Sequence, residues 1–109
     1  MVVHGESPVE PVEPGTNLAA ASCADVDILA HPGLLTAEEA TAAAATGVFI
    51  EVTAKEGHSL GNGRVVQVCR EAGARMVLDS DTHLPGHILT PEFARTVAVA
   101  AGLTEAELP

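Results

Sequence analysis

Short apolar runs alternate four times along the chain with longer, alanine-rich stretches. The runs cover residues 2–4, 27–30, 48–52 and 75–79. Each is short and largely apolar, which is typical of parallel strands that are covered on both faces. Strands that alternate with helices indicate right-handed βαβ units and a parallel sheet. The sequence therefore predicts an α/β fold of four consecutive parallel β-α units.

The stretches between these runs carry helix start and stop signals. Thr36 and Glu39 form a T-x-x-E capping box, which predicts a helix over 37–46 that ends near Gly47. A second helix is predicted over 59–72, where apolar residues recur at helical spacing before a glycine.

Two further helices complete the pattern. One is expected over 16–24. The other has Thr90 as its cap and a proline in its first position, with an apolar face through Phe93, Val97 and Ala100. Four β-α units suit either an open doubly wound sheet or half of a βα barrel, and the pattern leaves both open.

Composition and charge narrow the class of protein. The chain has 109 residues, 47% of them hydrophobic, with two Phe and neither Tyr nor Trp, so we expect one domain with a core of small side chains. Its net charge of −10 disfavours nucleic acid and anionic membranes as partners. No signal peptide or membrane span is recognisable, which predicts a cytoplasmic protein. Cys23 and Cys69 fall in predicted helices without a CxxC pair, which indicates reduced cysteines.

Candidate metal ligands follow the predicted strands. His4 and His31 each end an apolar run, and Asp81 and His83 follow the last one. In a parallel α/β fold these positions meet at one edge of the sheet. Imidazole nitrogens and carboxylate oxygens are ligands that suit Zn, Mn or Fe, and such an ion can activate water for hydrolysis. The sequence thus predicts a divalent metal site of the hydrolase type.

Other polar residues near these positions have less defined roles. Asp79 competes with Asp81 as a ligand, but it lies within the predicted strand, so Asp81 is favoured. Glu51 is either a ligand or a residue that orients one.

The loop after the third strand offers a cation, an imidazole and an amide. Lys55, His58 and Asn62 are candidates to hold a phosphate or another anion, although the pattern slightly favours a solvated, flexible loop. Glu6 joins them as a residue expected to contact a metal ligand or the substrate. No residue is assigned as the catalytic nucleophile or base.

Four motifs together resemble a known family. They are HGE at 4–6, AHPG at 30–33, EVTAKEGHSLGNG at 51–63 and DSDTH at 79–83. Their order and spacing are similar to the C-terminal half of PHP-domain (polymerase and histidinol phosphatase) phosphoesterases, specifically of histidinol-phosphatase-like proteins. The resemblance implies a distorted (βα)7 barrel and phosphate ester hydrolysis on a small phosphorylated substrate, with up to three metal ions.

The same resemblance implies that the candidate ligands bind several different metal ions. It implies that His4 and His31 share one metal, that Asp81 binds a second and that His83 binds a third. It also implies that residues 1–109 form a single partial domain from which the N-terminal half of the barrel, with its H-x-H pair, is absent.

Two alternatives remain beside the phosphoesterase. In the first alternative, the chain is a non-catalytic, truncated PHP fragment or an associating subunit. Such a subunit would form a homo-oligomer through the open barrel seam. A metal-dependent hydrolase of the amidohydrolase type also sets His and Asp ligands at strand ends.

Overall fold

The computed structural model describes residues 1–80 and 88–108. Four parallel strands form one sheet in the order β1-β2-β3-β4. The strands are β1 (Val2–His4), β2 (Ile28–Ala30), β3 (Phe49–Thr53) and β4 (Met76–Asp79). The α/β class and the four parallel strands are therefore confirmed. A doubly wound sheet has a point at which the strand order reverses. No such reversal occurs among these four strands.

Helices follow each strand. They are α1 (Thr16–Ala21), α2 (Ala37–Thr46), α3 (Asn62–Ala72) and α4 (Pro91–Ala100), with short 3₁₀ turns at Ser59–Gly61 and Glu105–Glu107. The bounds of α2 are those predicted, and both hydrogen bonds of the Thr36–Glu39 capping box form. In the described part of the chain, no helix has both the length and the apolar character needed to cross a membrane.

Two helix bounds differ from the prediction, each for a local reason. Helix α1 ends at Ala21 instead of residue 24, because the Cys23 N–H bonds to the Ala20 carbonyl only three residues back and tightens the chain into a turn. Cys23 therefore lies outside a helix. Residues 59–61 form a 3₁₀ turn, so α3 begins at Asn62.

The hydrophobic core lies between the sheet and helices α1 to α3. Leu29 of β2 and Ile50 of β3 are fully buried there, together with alanines of α2 and valines of α3. Cys69 is also buried, and burial raises the pKa of its thiol to about 12, so it acts as a small apolar side chain. Both cysteines are free thiols, as expected. The core is built from small side chains, and neither phenylalanine belongs to it.

The burial of strands β1 and β4 and of helix α4 differs from the prediction. Strand β1 is largely exposed and β4 is half-buried, so the expectation that every strand is covered on both faces is wrong for these two. The predicted apolar face of α4 is wrong at Phe93 and Ala100, which are exposed, whereas Ala98 is buried. The helix has turned its small residues towards β4 and left Phe93 outside the core.

Candidate metal centre

Polar side chains meet where the strands end. His4 ends β1, and His31 directly follows β2, its neighbour in the sheet. Their ring nitrogens, His4 Nδ1 and His31 Nε2, lie 3.1 Å apart. The two rings stand nearly perpendicular, with centroids 4.8 Å apart. The predicted convergence of these two histidines is therefore present in the structure.

The backbone holds the His31 side chain in place. His31 has a φ of 28°, in the left-handed region that a residue with a Cβ seldom occupies. Its N–H donates to Glu51 Oε1 at 2.8 Å, which ties the end of β2 to a side chain of β3. The residue is only 1% exposed. Burial, followed by the proximity of His58 and His4, lowers the pKa of His31, so the ring is neutral near pH 7.

A pair of carboxyl groups lies beside the histidines. Glu51 of β3 is 2% exposed and hydrogen-bonds through its side chain to Asp79, at the end of β4. Burial and the contact with Asp79 raise the pKa of Glu51 to about 8, so Glu51 carries a proton at neutral pH. Asp79 Oδ1 is buried and has no hydrogen-bond partner among the described residues. Together with His4, the pair lines a cavity of about 440 Å³, here called the inner cavity.

A second group of ligand-type residues contacts the other side of His31. His58 stacks on His31 with ring centroids 4.3 Å apart. His58 Nδ1 lies 2.8 Å from Ser7 Oγ, and His58 Nε2 lies 3.3 Å from Glu10 Oε2. Ligand atoms of Glu10, His31 and His58 all lie within 4.8 Å of one another. The structure thus offers two ligand sets that share His31. One is the pair of His4 and His31, and the other is Glu10, His31 and His58, which among the described residues is the one group of three close enough to hold a single ion.

Close backbone packing brings these loops together. A Cβ on Gly61 would lie 2.4 Å from the Gly33 carbonyl oxygen, so the turn before α3 touches the loop that follows His31. Gly33 itself has a φ of 68°, which favours glycine. These two glycines let the His58 loop approach His31.

Two of the predicted contact residues are engaged by the fold itself. The Asn17 N–H donates to Glu6 Oε2 at 2.9 Å, so Glu6 caps the first turn of α1. Asn62 Oδ1 accepts from the Thr53 N–H at 3.0 Å, and Asn62 Nδ2 donates to the Thr53 carbonyl at 2.8 Å. Both side chains fix loops of the site in place.

Three predicted residues remain. Lys55 lies in the loop after β3 and lines a larger cavity. Asp81 and His83 lie outside the described residues, so their predicted roles stay predictions.

Sequence reasoning missed Glu10 and Ser7, and it ranked Asp79 below Asp81. Glu10 and Ser7 belong to a Pro- and Glu-rich loop that carries no strand-end signal. Their contact with His58 spans 51 residues in the case of Ser7, and no local pattern reports such a pairing. For Asp79 the signal was available, because alternation along β4 places it on the same face as Glu51 along β3.

Comparison with known proteins adds one relative. Over 108 residues the chain is 45% identical to a protein of Methanocaldococcus jannaschii described as "Uncharacterized protein MJ1295". The match covers 99% of this chain and 50% of that protein, so the chain spans half the length of the relative it matches. No protein-family model and no solved structure matches the chain.

Proposed function

We propose that this chain forms part of a divalent-metal-dependent hydrolase of phosphate esters, of the PHP phosphoesterase type. The observation that carries the proposal is the meeting of His4 and His31 nitrogens 3.1 Å apart, beside the carboxyl pair of Glu51 and Asp79. The consecutive strand order, which is that of neighbouring units in a βα barrel, supports the same reading.

The spacing of the side chains fits a metal ion. Two ligand atoms about 2.1 Å from one ion lie about 3.0 Å apart in octahedral and about 3.4 Å apart in tetrahedral geometry. The His4 to His31 distance of 3.1 Å and the His58 to Glu10 distance of 3.3 Å both match this spacing. The distance between His58 Nε2 and Glu10 Oε2 is longer than that of an ordinary hydrogen bond.

Unpartnered atoms support the same fit. His31 Nδ1 and Asp79 Oδ1 are buried without a hydrogen-bond partner among the described residues. Buried polar atoms left without a partner cost about 1 to 3 kcal/mol each, and a cation would satisfy them. The donor set of imidazole nitrogens and carboxylate oxygens suits Zn, Mn or Fe.

A bound divalent ion would lower the pKa of a water molecule towards about 7 and polarise phosphoryl oxygens. The chain's own residues prepare the site for this chemistry. Glu51 fixes the backbone of His31, and the burial of His31 keeps its ring neutral and able to bind. Ser7 Oγ accepts from His58 Nδ1 when that nitrogen carries the proton, which directs the Nε2 lone pair towards Glu10.

The experiment is a phosphate-release assay on the 109-residue chain with Zn, Mn or Fe and p-nitrophenyl phosphate. We expect release that stops on adding a chelator and that the H31Q variant lacks. The variant E13Q, an exposed change in the same loop as Glu10, should match the unmodified chain. Because the proposal makes this chain one part of the enzyme, absence of both metal binding and metal-dependent release by this chain would contradict it.

One observation also favours an associating subunit. Val2 of β1 is 54% exposed, and the outer edges of β1 and β4 are unpaired in the described residues. Such edges favour pairing with another chain. Light scattering at several protein concentrations tests this second candidate, which a monomer throughout would contradict.

A further inference from the structure

A second, larger cavity opens beside the candidate metal centre. Its volume is about 840 Å³, and it lies between the loop after β3 and the segment that leads into α4. We call it the outer cavity. This volume falls within the range of small-molecule sites.

One wall of the outer cavity is apolar and open to solvent. Ile88, Leu89 and Phe93 contribute to it. Ile88 is 66% exposed and Phe93 is 53% exposed. The chain has only two phenylalanines, and it places this one at a cavity instead of in its core. Exposed apolar side chains that line a concave surface are a mark of a binding site.

The rest of the lining is polar and carries both signs of charge. It includes Lys55, the single lysine of the sequence, and Glu56, together with Ser59 and Ser80. The cavity is therefore apolar along one part of its lining and polar along another.

The outer cavity adjoins the inner cavity. Ser80 and Leu89 line both of them. The inner cavity contains His4, Glu51 and Asp79. The outer cavity is therefore a direct neighbour of the candidate metal centre.

We propose that the outer cavity binds the organic group of the substrate, and that this group carries a flat apolar or aromatic portion. The phosphate end of such a monoester would lie in the inner cavity, and its leaving group would pack on Ile88, Leu89 and Phe93. The identity of the phosphate rests on the proposed function, whereas the apolar subsite rests on the outer cavity alone.

The test compares two phosphonates that differ by one aromatic group. Methylphosphonate and 1-naphthylmethylphosphonate both resist hydrolysis, and the second fluoresces in a chain without Trp or Tyr background. Binding to the 109-residue chain is measured with Zn present and with a chelator present. The variants are F93A, the conservative F93L, and V99A, an equally exposed apolar change on α4 outside the cavity.

We expect the naphthyl group to improve affinity about tenfold, because it buries apolar area against Phe93. F93A should remove most of that gain and leave methylphosphonate binding unchanged. F93L should keep much of it, and V99A should keep all of it.

Three results would overturn the inference. The first is no gain from the naphthyl group, and the second is equal effects of F93A and V99A. The third is a change of oligomeric state in F93A with no change in ligand preference, which would assign this wall to association. Failure of the proposed function looks different: 1-naphthylmethanol would still bind in a Phe93-dependent manner, while phosphonate binding would not respond to Zn.

Discussion

The two faces of the sheet are made from the same strands but from different chemistry. On the face towards the helices, Leu29, Ile50 and Val52 are at most 1% exposed and wholly apolar. On the opposite face the same strands carry His4, Glu51 and, in β4, Asp79.

Strand β3 shows how one short segment builds both faces. Its sequence FIEVT alternates, so Ile50 and Val52 point to the helices while Glu51 and Thr53 point away. Burying Glu51 costs free energy that apolar packing must offset, and its hydrogen bonds with the Asp79 side chain and the His31 N–H reduce that cost. The helix face supports the fold, and the opposite face is free to hold chemistry.

The largest expected effect is on the helix face. L29A removes a fully buried side chain and should lower the free energy of unfolding by about 3 kcal/mol, because it leaves a cavity. V2A, on the opposite face of the exposed strand β1, should cost less than about 1 kcal/mol. Urea denaturation measures both. Equal losses in the two variants would erase the contrast between the faces.

The buried carboxyl group of Glu51, on the opposite face, should make the stability of the chain depend on pH. The pKa of Glu51 is raised in the folded chain from 4.5 to about 8, so the folded state binds more protons than the unfolded state between these values. The free energy of unfolding should therefore fall as pH rises through this window. E51Q keeps an acceptor for the His31 N–H and should flatten the profile. Unfolding is followed in metal-free buffer with a chelator, and an equally steep profile in E51Q would count against the raised pKa of Glu51.

Alanine substitutions at two glycines test the contact between the turn before α3 and the loop after His31. G61A forces a Cβ against the Gly33 carbonyl and should cost about 2 kcal/mol. G63A meets no atom within 4 Å and lies in α3, so it should be neutral or stabilise the chain by up to about 1 kcal/mol. Thermal unfolding of the two variants compares them. A harmless G61A would mean that the His58 loop does not depend on this contact.

The smallest effect belongs to the start of α2. T36A removes the capping bond to the Glu39 N–H and should cost about 1 kcal/mol. T41A, an exposed change in the same helix, should stay within about 0.5 kcal/mol. Helical circular dichroism during denaturation reports both, and equal midpoints would show that the capping box adds nothing.

Local signals predicted the parts of the fold that local interactions decide. The bounds of α2 follow from Thr36, Glu39 and Gly47, which all act within a few residues. Strand β1 was also predicted at its observed bounds, and the other strands within one residue at either end. The face of α4 was not predictable from periodicity, because Phe93 and Ala98 are both apolar and only packing on β4 separates them.

The candidate site was predicted where the topology brings residues together. His4 and His31 meet because parallel strands share one edge. Ser7 and Glu10 could not be predicted, because a loop without regular structure carries them to His58. Tertiary contacts of this kind leave no spacing in the sequence.

The most direct test of the metal centre is the zinc content and affinity of the purified chain, measured by elemental analysis and chelator competition. The account predicts bound zinc in the unmodified chain and its loss in H31Q, because His31 belongs to both ligand sets. H4Q compared with E10Q then shows which set holds the ion, with E13Q as the control for E10Q. No zinc above background in the unmodified chain, or equal affinity in H31Q, would contradict a metal centre at these strand ends.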